Sequence, residues 1–257
     1  DTRYSSQWDF FESAGGINVE PAWDITTGSS SVVVAIGDTG LTNHADLAGR
    51  MVSGALATSG YDFVFDSREG NDGDGRDSNP SDPGDWITSA ESASGYFAGC
   101  PVQNSTWHGT HVAGTIGAAS NNSQGVAGIN WSSKLLIVRV LGKCGGYFSD
   151  IADGMTWAAG LSVSGVPANA NPARVINLSL GGSGSCPTTV QNAVNAIINA
   201  GTVVVVAAGN SNTNVSNFTP ANCNGVLAVA ATGRTGSKAS YSNYGALVKI
   251  SAPGGSG

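Results

Sequence analysis

Five short apolar runs constrain the fold of this 257-residue chain more than any other feature of its sequence. Each run is apolar throughout rather than at alternate positions, which is typical of strands covered on both faces. The runs are Val32–Ile36, Leu135–Val140, Val175–Leu180, Thr202–Ala207 and Val226–Ala231. Because helical patterns lie between them, they predict an α/β fold whose mostly parallel β-sheet carries helices on both faces.

Capping residues and the spacing of apolar residues predict two of these helices. Ser149 or Asp150 begins one that runs to about Leu161. Thr188 or Thr189 begins the other, which runs to about Ala200 with Gly201 as its stop. The chain length suits one large domain, and the sequence contains no internal repeat. We therefore expect a single domain over residues 1–257.

The charge and the cysteine content bear on the partners and the location of the protein. Acidic residues number 18 and basic residues 11, a net charge of −7 that disfavours nucleic acid or an anionic membrane as partner. No apolar run approaches the ~18–20 residues that span a bilayer. The chain opens on Asp1 without a leader, which we interpret as a processed, secreted form. The four cysteines lack C-x-x-C spacing, so they favour disulfides over zinc ligands, with four buried free thiols as the alternative.

Polar residues stand where several predicted strands end. Asp38 follows the first strand, Ser179–Gly182 closes the third, and Asn210 follows the fourth. Because functional groups gather beyond the carboxyl ends of parallel strands, we expect these segments to share one cleft. His108 begins a run of small and apolar residues that predicts a buried helix. A carboxylate, an imidazole and an amide donor are the groups that activate a nucleophile and stabilise an oxyanion.

These segments together resemble the subtilisin-like serine proteases over the whole chain. Asp38 lies in Val-Ala-Ile-Gly-Asp-Thr-Gly and His108 in His-Gly-Thr-His-Val-Ala-Gly-Thr, in the chain order of that family. The resemblance implies that Asp38 orients His108, that His108 is the general base, and that Asn210 donates to the oxyanion. The substrate-binding residues it implies are Ser179, Leu180, Gly181, Gly182, Ala207, Ala208 and Gly209. It also places Phe218 near the base or rim of the pocket for the substrate side chain.

The family's nucleophile segment, typically Gly-Thr-Ser-Met-Ala, does not occur in this sequence. The run from Ser251 to Gly254 resembles the segment that shortly precedes it, so we expect the nucleophilic serine beyond Gly257. Ser256 is better interpreted as a loop serine, because no helix follows to position it. The expected activity is that of a secreted, monomeric serine endopeptidase, which cuts extended polypeptides and has a pro-peptide as a further partner. The alternative is a non-catalytic, protease-like binding module that ends at Gly257.

Zinc hydrolysis is a second alternative, because His108 and His111 are three residues apart on one predicted helix. A zinc hydrolase of this type has a glutamate between the two histidines and a third ligand elsewhere. Neither is evident in the sequence, which therefore favours the serine mechanism.

Calcium is the cofactor that the family resemblance implies. The candidate ligands of the first site are Asp46, Ala119, Asn122, Gln124 and Val126, closed by the side chain of Asp1 or Gln7. A second candidate site lies in an acidic loop and uses Asp72, Asp74, Asp77 and Asp82. Oxygen-rich sets of this kind suit Ca²⁺, although the loop does not match an EF-hand. A solvated acidic loop is the alternative.

Four cysteines allow three pairings. Cys186 follows the segment Ser179–Gly182 and Cys223 follows the Asn210 loop, so both lie over the same end of adjacent elements. Cys100 precedes His108 and Cys144 follows the second predicted strand at that same end. We therefore predict the disulfides Cys100–Cys144 and Cys186–Cys223.

Overall fold

A seven-stranded parallel sheet forms the centre of the structure, a computed structural model that describes residues 1–255. In chain order the strands are β1 (Val33–Asp38), β2 (Gly60–Asp62), β3 (Lys134–Arg139), β4 (Val175–Leu178), β5 (Gly182–Ser183), β6 (Val203–Ala207), β7 (Phe218–Thr219), β8 (Leu227–Thr232) and β9 (Val248–Pro253). The sheet order is β2-β3-β1-β4-β6-β8-β9, and β5 and β7 form a separate antiparallel pair. The predicted parallel sheet is confirmed. Ser256 lies outside the described residues.

Helices cover both faces of this sheet, as predicted. In chain order they are α1 (Trp8–Phe11), α2 (Val19–Trp23), α3 (Ser67–Gly70), α4 (Ser89–Ala93), α5 (His108–Gly117), α6 (Phe148–Ala158) and α7 (Thr188–Asn199). Single turns of 3-10 helix span Tyr4–Ser6, Ala45–Leu47, Leu56–Thr58 and Val215–Asn217. Helices α6 and α7 pack on one face and α5 packs on the other. None of the helices within residues 1–255 has the length and apolar character needed to cross a membrane.

The continuous apolar runs are explained by the two hydrophobic clusters on opposite faces of the sheet. On β1, Ala35 packs in the cluster that contains α6 and α7, whereas Val34 and Ile36 pack in the cluster that contains α5. Strand β3 alternates in the same way. Since successive side chains of a strand point to opposite faces, a strand buried on both faces must be apolar at every position.

The strand register brings three loops to one edge of the sheet. Strand β1 pairs with β4 so that Gly37 lies opposite Leu178, and β4 pairs with β6 so that Leu178 lies opposite Val206. All three strands run parallel and end at the same level. The residues that follow them are therefore neighbours, although they are far apart in the sequence.

Two disulfides tie the loops at this edge, with the pairing predicted from the sequence. Cys100 is joined to Cys144 and Cys186 to Cys223, with Cα–Cα distances of 5.8 and 5.2 Å. Both distances lie within the usual range for disulfides. The alternative of free thiols is excluded, because no free cysteine remains in the part of the chain that the structure describes.

Candidate active site

Asp38 and His108 form a hydrogen-bonded pair at the carboxyl edge of the sheet. The Nδ1 atom of His108 lies 2.8 Å from Oδ1 and 3.0 Å from Oδ2 of Asp38. The Asp38 side chain is 1% exposed, and Oδ1 also accepts the backbone N–H of Thr39 at 2.8 Å. The His108 side chain is 46% exposed, so the imidazole lies between a buried carboxylate and solvent. This contact favours the tautomer with the proton on Nδ1 and an unprotonated Nε2.

The surroundings of His108 stabilise its protonated form. The hydrogen bond to Asp38 raises the pKa of His108, while partial burial of the ring works in the opposite direction. The negative charges of Asp38 and Asp85 add to the increase. An imidazole that gains a proton during a reaction would therefore be stabilised here.

Local backbone geometry explains why a glycine follows His108. Helix α5 begins directly after Trp107, whose φ of 52° turns the chain into the helix. A β-carbon on Gly109 would lie 2.1 Å from the carbonyl oxygen of Gly40. The helix approaches the end of β1 this closely only because residue 109 has no side chain. The His-Gly pair therefore sets the distance between His108 and Asp38.

A cavity of about 520 Å³ opens beside His108. The first predicted substrate segment, Ser179, Leu180, Gly181 and Gly182, lines it together with His108 and Asp85. Leu141, Phe148 and Ile151 give it an apolar wall. The second predicted segment, residues 207–210, lies at the same edge of the sheet and does not line this cavity. The side chain of Asn210 is exposed to solvent.

Phe218 connects the two predicted substrate segments. Its Cε1 atom lies 2.5 Å from the position of a β-carbon on Gly181 and 2.6 Å from that of a β-carbon on Gly209. The ring is buried, and Thr219 beside it pairs with Gly182 in the β5–β7 ribbon. The ring therefore lies between the segments that follow β4 and β6.

The two histidines of α5 line different cavities. His108 lines the cavity described above, whereas His111 and His44 line a separate one of about 810 Å³. Among residues 1–255, no group of three or more His, Cys, Asp or Glu side chains is arranged to hold a metal ion. This geometry does not favour a zinc centre shared by His108 and His111.

The residues of the first candidate calcium site lie together. Asp46, which is 4% exposed, accepts the Nδ2–H of Asn122 and the backbone N–H of Val126, both at 2.8 Å. Its backbone carbonyl accepts the N–H of Ala119 at 2.7 Å. The N–H of Gln124 donates to Oδ1 of Asn122 at 2.8 Å. The loop 119–126 is thus folded around the Asp46 carboxylate.

The buried Asp46 carboxylate suits a bound cation, but the amide of Asn122 would have to turn before it could act as a ligand. Within residues 1–255, the buried Asp46 has no Lys, Arg or His ion-pair partner, and the oxygens around it are of the kind that Ca²⁺ binds. For Asn122 to act as a ligand, its amide must present Oδ1 instead of Nδ2. Gln7 is paired with the backbone of Ala127, and Asp1 accepts the N–H of Asn122. Asp1 therefore contacts a candidate ligand residue directly, whereas both polar atoms of the Gln7 side chain are engaged by Ala127.

The structure does not gather the four carboxylates of the second candidate site. Asp72 and Asp62 both pair with the buried guanidinium of Arg139. Asp82 accepts the hydroxyl proton of Thr39 at 2.7 Å. The predicted members are Asp72, Asp74, Asp77 and Asp82. Arg139 thus neutralises Asp72, one of the carboxylates predicted to bind a second calcium ion.

Sequence reasoning missed Thr39, Thr106 and Asp85 as neighbours of Asp38 and His108. Thr39 directly follows Asp38, and Thr106 lies two residues before His108. Their positions in the sequence were the available signal. Their carboxylate partners depend on the course of the loop between the two motifs, which the sequence does not reveal.

Several known proteins are similar to this chain in sequence. The sequence profile of the subtilase family matches residues 29–257. An extracellular protease of Xanthomonas campestris is 56% identical over 256 residues, which cover 100% of this chain and 42% of that protein. An extracellular basic protease of Dichelobacter nodosus is 46% identical over 254 residues, covering 99% of this chain and 41% of that protein. The chain thus spans about two fifths of the length of these relatives.

The fold is also similar to that of solved structures. A protease from Pseudoalteromonas arctica superposes with a TM-score of 0.93 at 54% identity, covering 100% of this chain and 72% of that one. A cold-adapted subtilisin-like serine proteinase gives a TM-score of 0.59 at 28% identity, covering 88% of this chain and 65% of that one.

Proposed function

This chain belongs to the subtilase family, and we propose that residues 1–257 form the peptidase domain of a secreted serine endopeptidase. The observation that carries the proposal is the pair of Asp38 and His108, hydrogen-bonded at 2.8 Å beside a cavity at the carboxyl edge of the sheet. The extracellular proteases of Xanthomonas and Dichelobacter support both the activity and the location.

The proposed mechanism uses three side chains. The unprotonated Nε2 of His108 takes the proton of a serine that lies beyond the described residues, and later returns it to the leaving amine. Asp38 holds the imidazole and stabilises the imidazolium that forms. The side-chain amide of Asn210 donates to the oxyanion of the tetrahedral intermediate. The buried position of Asp38 suits its role, because a fixed carboxylate needs no reorganisation when the charge develops.

The proposed substrate is a polypeptide bound in an extended conformation. Residues 179–182 leave β4 beside His108, and their backbone is available along the cavity wall. Residues 207–209 would bind the other side of the substrate, with Phe218 between the two segments. The net charge of −7 disfavours a nucleic-acid partner. A pro-peptide that occupies the same cleft and a monomeric state complete the proposal.

We propose calcium as a stabilising cofactor at the Asp46 loop only. The ion would neutralise the buried carboxylate and would fix the loop 119–126, which directly follows α5. Asp46 and the oxygen of Asn122 would bind it, together with carbonyl oxygens of Ala119, Gln124 and Val126. None of these residues belongs to the proposed catalytic group.

A fluorophosphonate probe tests the proposed function on the full-length protein. We expect the probe to label one serine, and peptide mapping to locate that serine outside residues 1–255. His108→Ala should abolish labelling and peptide hydrolysis, whereas Asn199→Ala on the opposite edge of the sheet should leave both intact. A folded full-length protein that is not labelled and does not cut peptides would instead support the non-catalytic binding module.

A further inference from the structure

The first turn of α5 is held by two threonine hydroxyls that lie outside the helix. The backbone N–H of His108 donates to Oγ1 of Thr106 at 3.3 Å, and the N–H of Gly109 donates to Oγ1 of Thr39 at 3.0 Å. N–H groups at the start of a helix have no acceptor within the helix, so these hydroxyls cap two N–H groups of α5 that would otherwise be unpaired. Both threonines come from segments next to the catalytic pair.

Each hydroxyl in turn donates a hydrogen bond to a buried carboxylate. Thr106 donates to Oδ2 of Asp85 at 2.8 Å, and Thr39 donates to Oδ2 of Asp82 at 2.7 Å. A carboxylate can only accept, so each hydroxyl must point its proton there and offer a lone pair to the helix. The direction of both hydrogen-bond chains is therefore fixed.

The two carboxylates are themselves anchored. Asp82 accepts the N–H of Gly84 at 2.8 Å, and Asp85 accepts the N–H of Thr106 at 2.6 Å. Both side chains are buried and both lie in the short stretch 82–85. One loop segment therefore holds the start of α5 through two separate threonines.

One of these chains also reaches Asp38. The N–H of Thr39 donates to Oδ1 of Asp38 while its hydroxyl accepts the N–H of Gly109. Thr39 thus contacts the Asp38 carboxylate through its N–H and the first turn of α5 through its hydroxyl. The charged groups that act on the imidazole are Asp38 and Asp85, whereas Asp82 stands behind Thr39 with Arg139 near it.

We propose that the Asp82–Thr39 and Asp85–Thr106 pairs are positioning residues, which hold His108 against Asp38 through the first turn of α5. The proposal rests on the proposed function for its kinetic readout. Misplacement of a catalytic group by about 1 Å can cost ~10²-fold in rate, so small losses of this support are measurable.

The kinetic test compares Val and Ser variants in the full-length enzyme. Thr39→Val and Thr106→Val keep the side-chain shape and remove the hydroxyl, so we expect kcat to fall by roughly 10- to 100-fold at nearly constant KM. Thr39→Ser and Thr106→Ser keep the hydroxyl and should restore most of the rate. Thr202→Val is the control, because its buried hydroxyl donates to the carbonyl of Ala173 at the opposite edge of the sheet.

An NMR titration of His108 gives a readout that does not need proteolysis. Thr39→Val removes a hydroxyl but no charge, so a fall in the pKa of His108 in this variant would report a looser contact with Asp38. The control Thr202→Val should leave that pKa unchanged. If the protein proves not to be a protease, this titration still tests the proposal.

Any one of three results would overturn the assignment. The Val variants keep the wild-type kcat, they lose activity without rescue by Ser, or Thr39→Val leaves the pKa of His108 unchanged. Rescue by Ser together with a lowered His108 pKa would establish it.

Discussion

The ring of Phe218 occupies the space that a side chain at Gly209 would need. A β-carbon on Gly209 would lie 2.6 Å from Cε1 of Phe218 and 2.5 Å from Nδ2 of Asn243. Asn243 is buried and donates to the carbonyl of Ala208 at 2.8 Å, so it cannot move away freely. The loop that carries Asn210 is thus packed from both sides.

Gly209→Ala should therefore destabilise the protein by more than its backbone strain alone. Its φ of +102° costs an alanine about 1–2 kcal/mol, and overpacking adds about 1–3 kcal/mol. Gly201→Ala is the matched control, since its φ is +88° and its β-carbon would meet nothing within 4 Å. Denaturant unfolding of both variants measures the difference. Equal losses would mean that Phe218 and Asn243 yield to the new methyl group.

Asn210→Ala should lower kcat about 10²–10³-fold with little change in KM, because its amide would donate to charge that develops in the transition state. Steady-state kinetics on a peptide substrate measures this effect. A large rise in KM at constant kcat would show that Asn210 binds the ground state instead.

The activity of the enzyme should depend on pH through His108. Its pKa is raised, chiefly by the hydrogen bond to Asp38, and only the neutral imidazole can accept the proton of a serine. A raised pKa keeps the ring protonated to higher pH. The acidic limb of kcat/KM should therefore lie above the ordinary histidine pKa of about 6.5. An acidic limb of kcat/KM at or below that value would contradict a raised pKa of His108.

Removal of calcium should lower the melting temperature before it changes the catalytic step. A cation that binds only the folded state adds ~2.7 kcal/mol at a hundredfold excess over Kd. Thermal melts with EGTA and with added calcium measure this in the wild type. Asp46→Asn should abolish the calcium response, whereas Asp74→Asn in the acidic loop should retain it. Melts of the wild type that coincide in EGTA and calcium would exclude the proposed site.

The two disulfides should differ in their effect on catalysis. They close loops with sequence separations of 44 and 37 residues, so the chain-entropy model gives about 4 kcal/mol for each. Cys144 lines the cavity beside His108. Replacing Cys100 and Cys144 by Ser should therefore lower both stability and kcat/KM, whereas replacing Cys186 and Cys223 should lower mainly stability. Denaturant unfolding and peptide kinetics separate the two effects.

The strands that were predicted and those that were missed differ in burial. All five predicted runs carry a continuous apolar signal. Strands β1 and β3 are buried at nearly every position, whereas β4, β6 and β8 are buried at alternate residues. Strand β2 has only three residues, and β9 is an edge strand in which Lys249 and Ser251 are exposed. Neither β2 nor β9 needs an uninterrupted apolar run. The sequence pattern therefore reports the centre of the sheet better than its edges.

The candidate site shows a similar division. The placement of Asp38 and of the segments after β4 and β6 at one edge of the sheet was predictable, because parallel strands present their carboxyl ends there. The contacts of Asp82 and Asp85 with threonines were not, since they depend on the folded path of a long loop. Asp82 was instead assigned to a calcium site on the basis of its charge. The hydrogen-bond partners of polar residues in long loops therefore cannot be predicted from the sequence pattern alone.

The parallel register of β1, β4 and β6 also limits how the width of the cleft can evolve. Neighbouring strands are separated by about 4.8 Å, and a slip of one residue would turn every core side chain to the wrong face. The spacing between the Asp38 end and the Asn210 end can therefore change only in large, disruptive steps. Insertions and substitutions in the loops beyond the strands carry no such penalty. Members of the family that share this sheet should consequently diversify their substrate preference through loop length and composition.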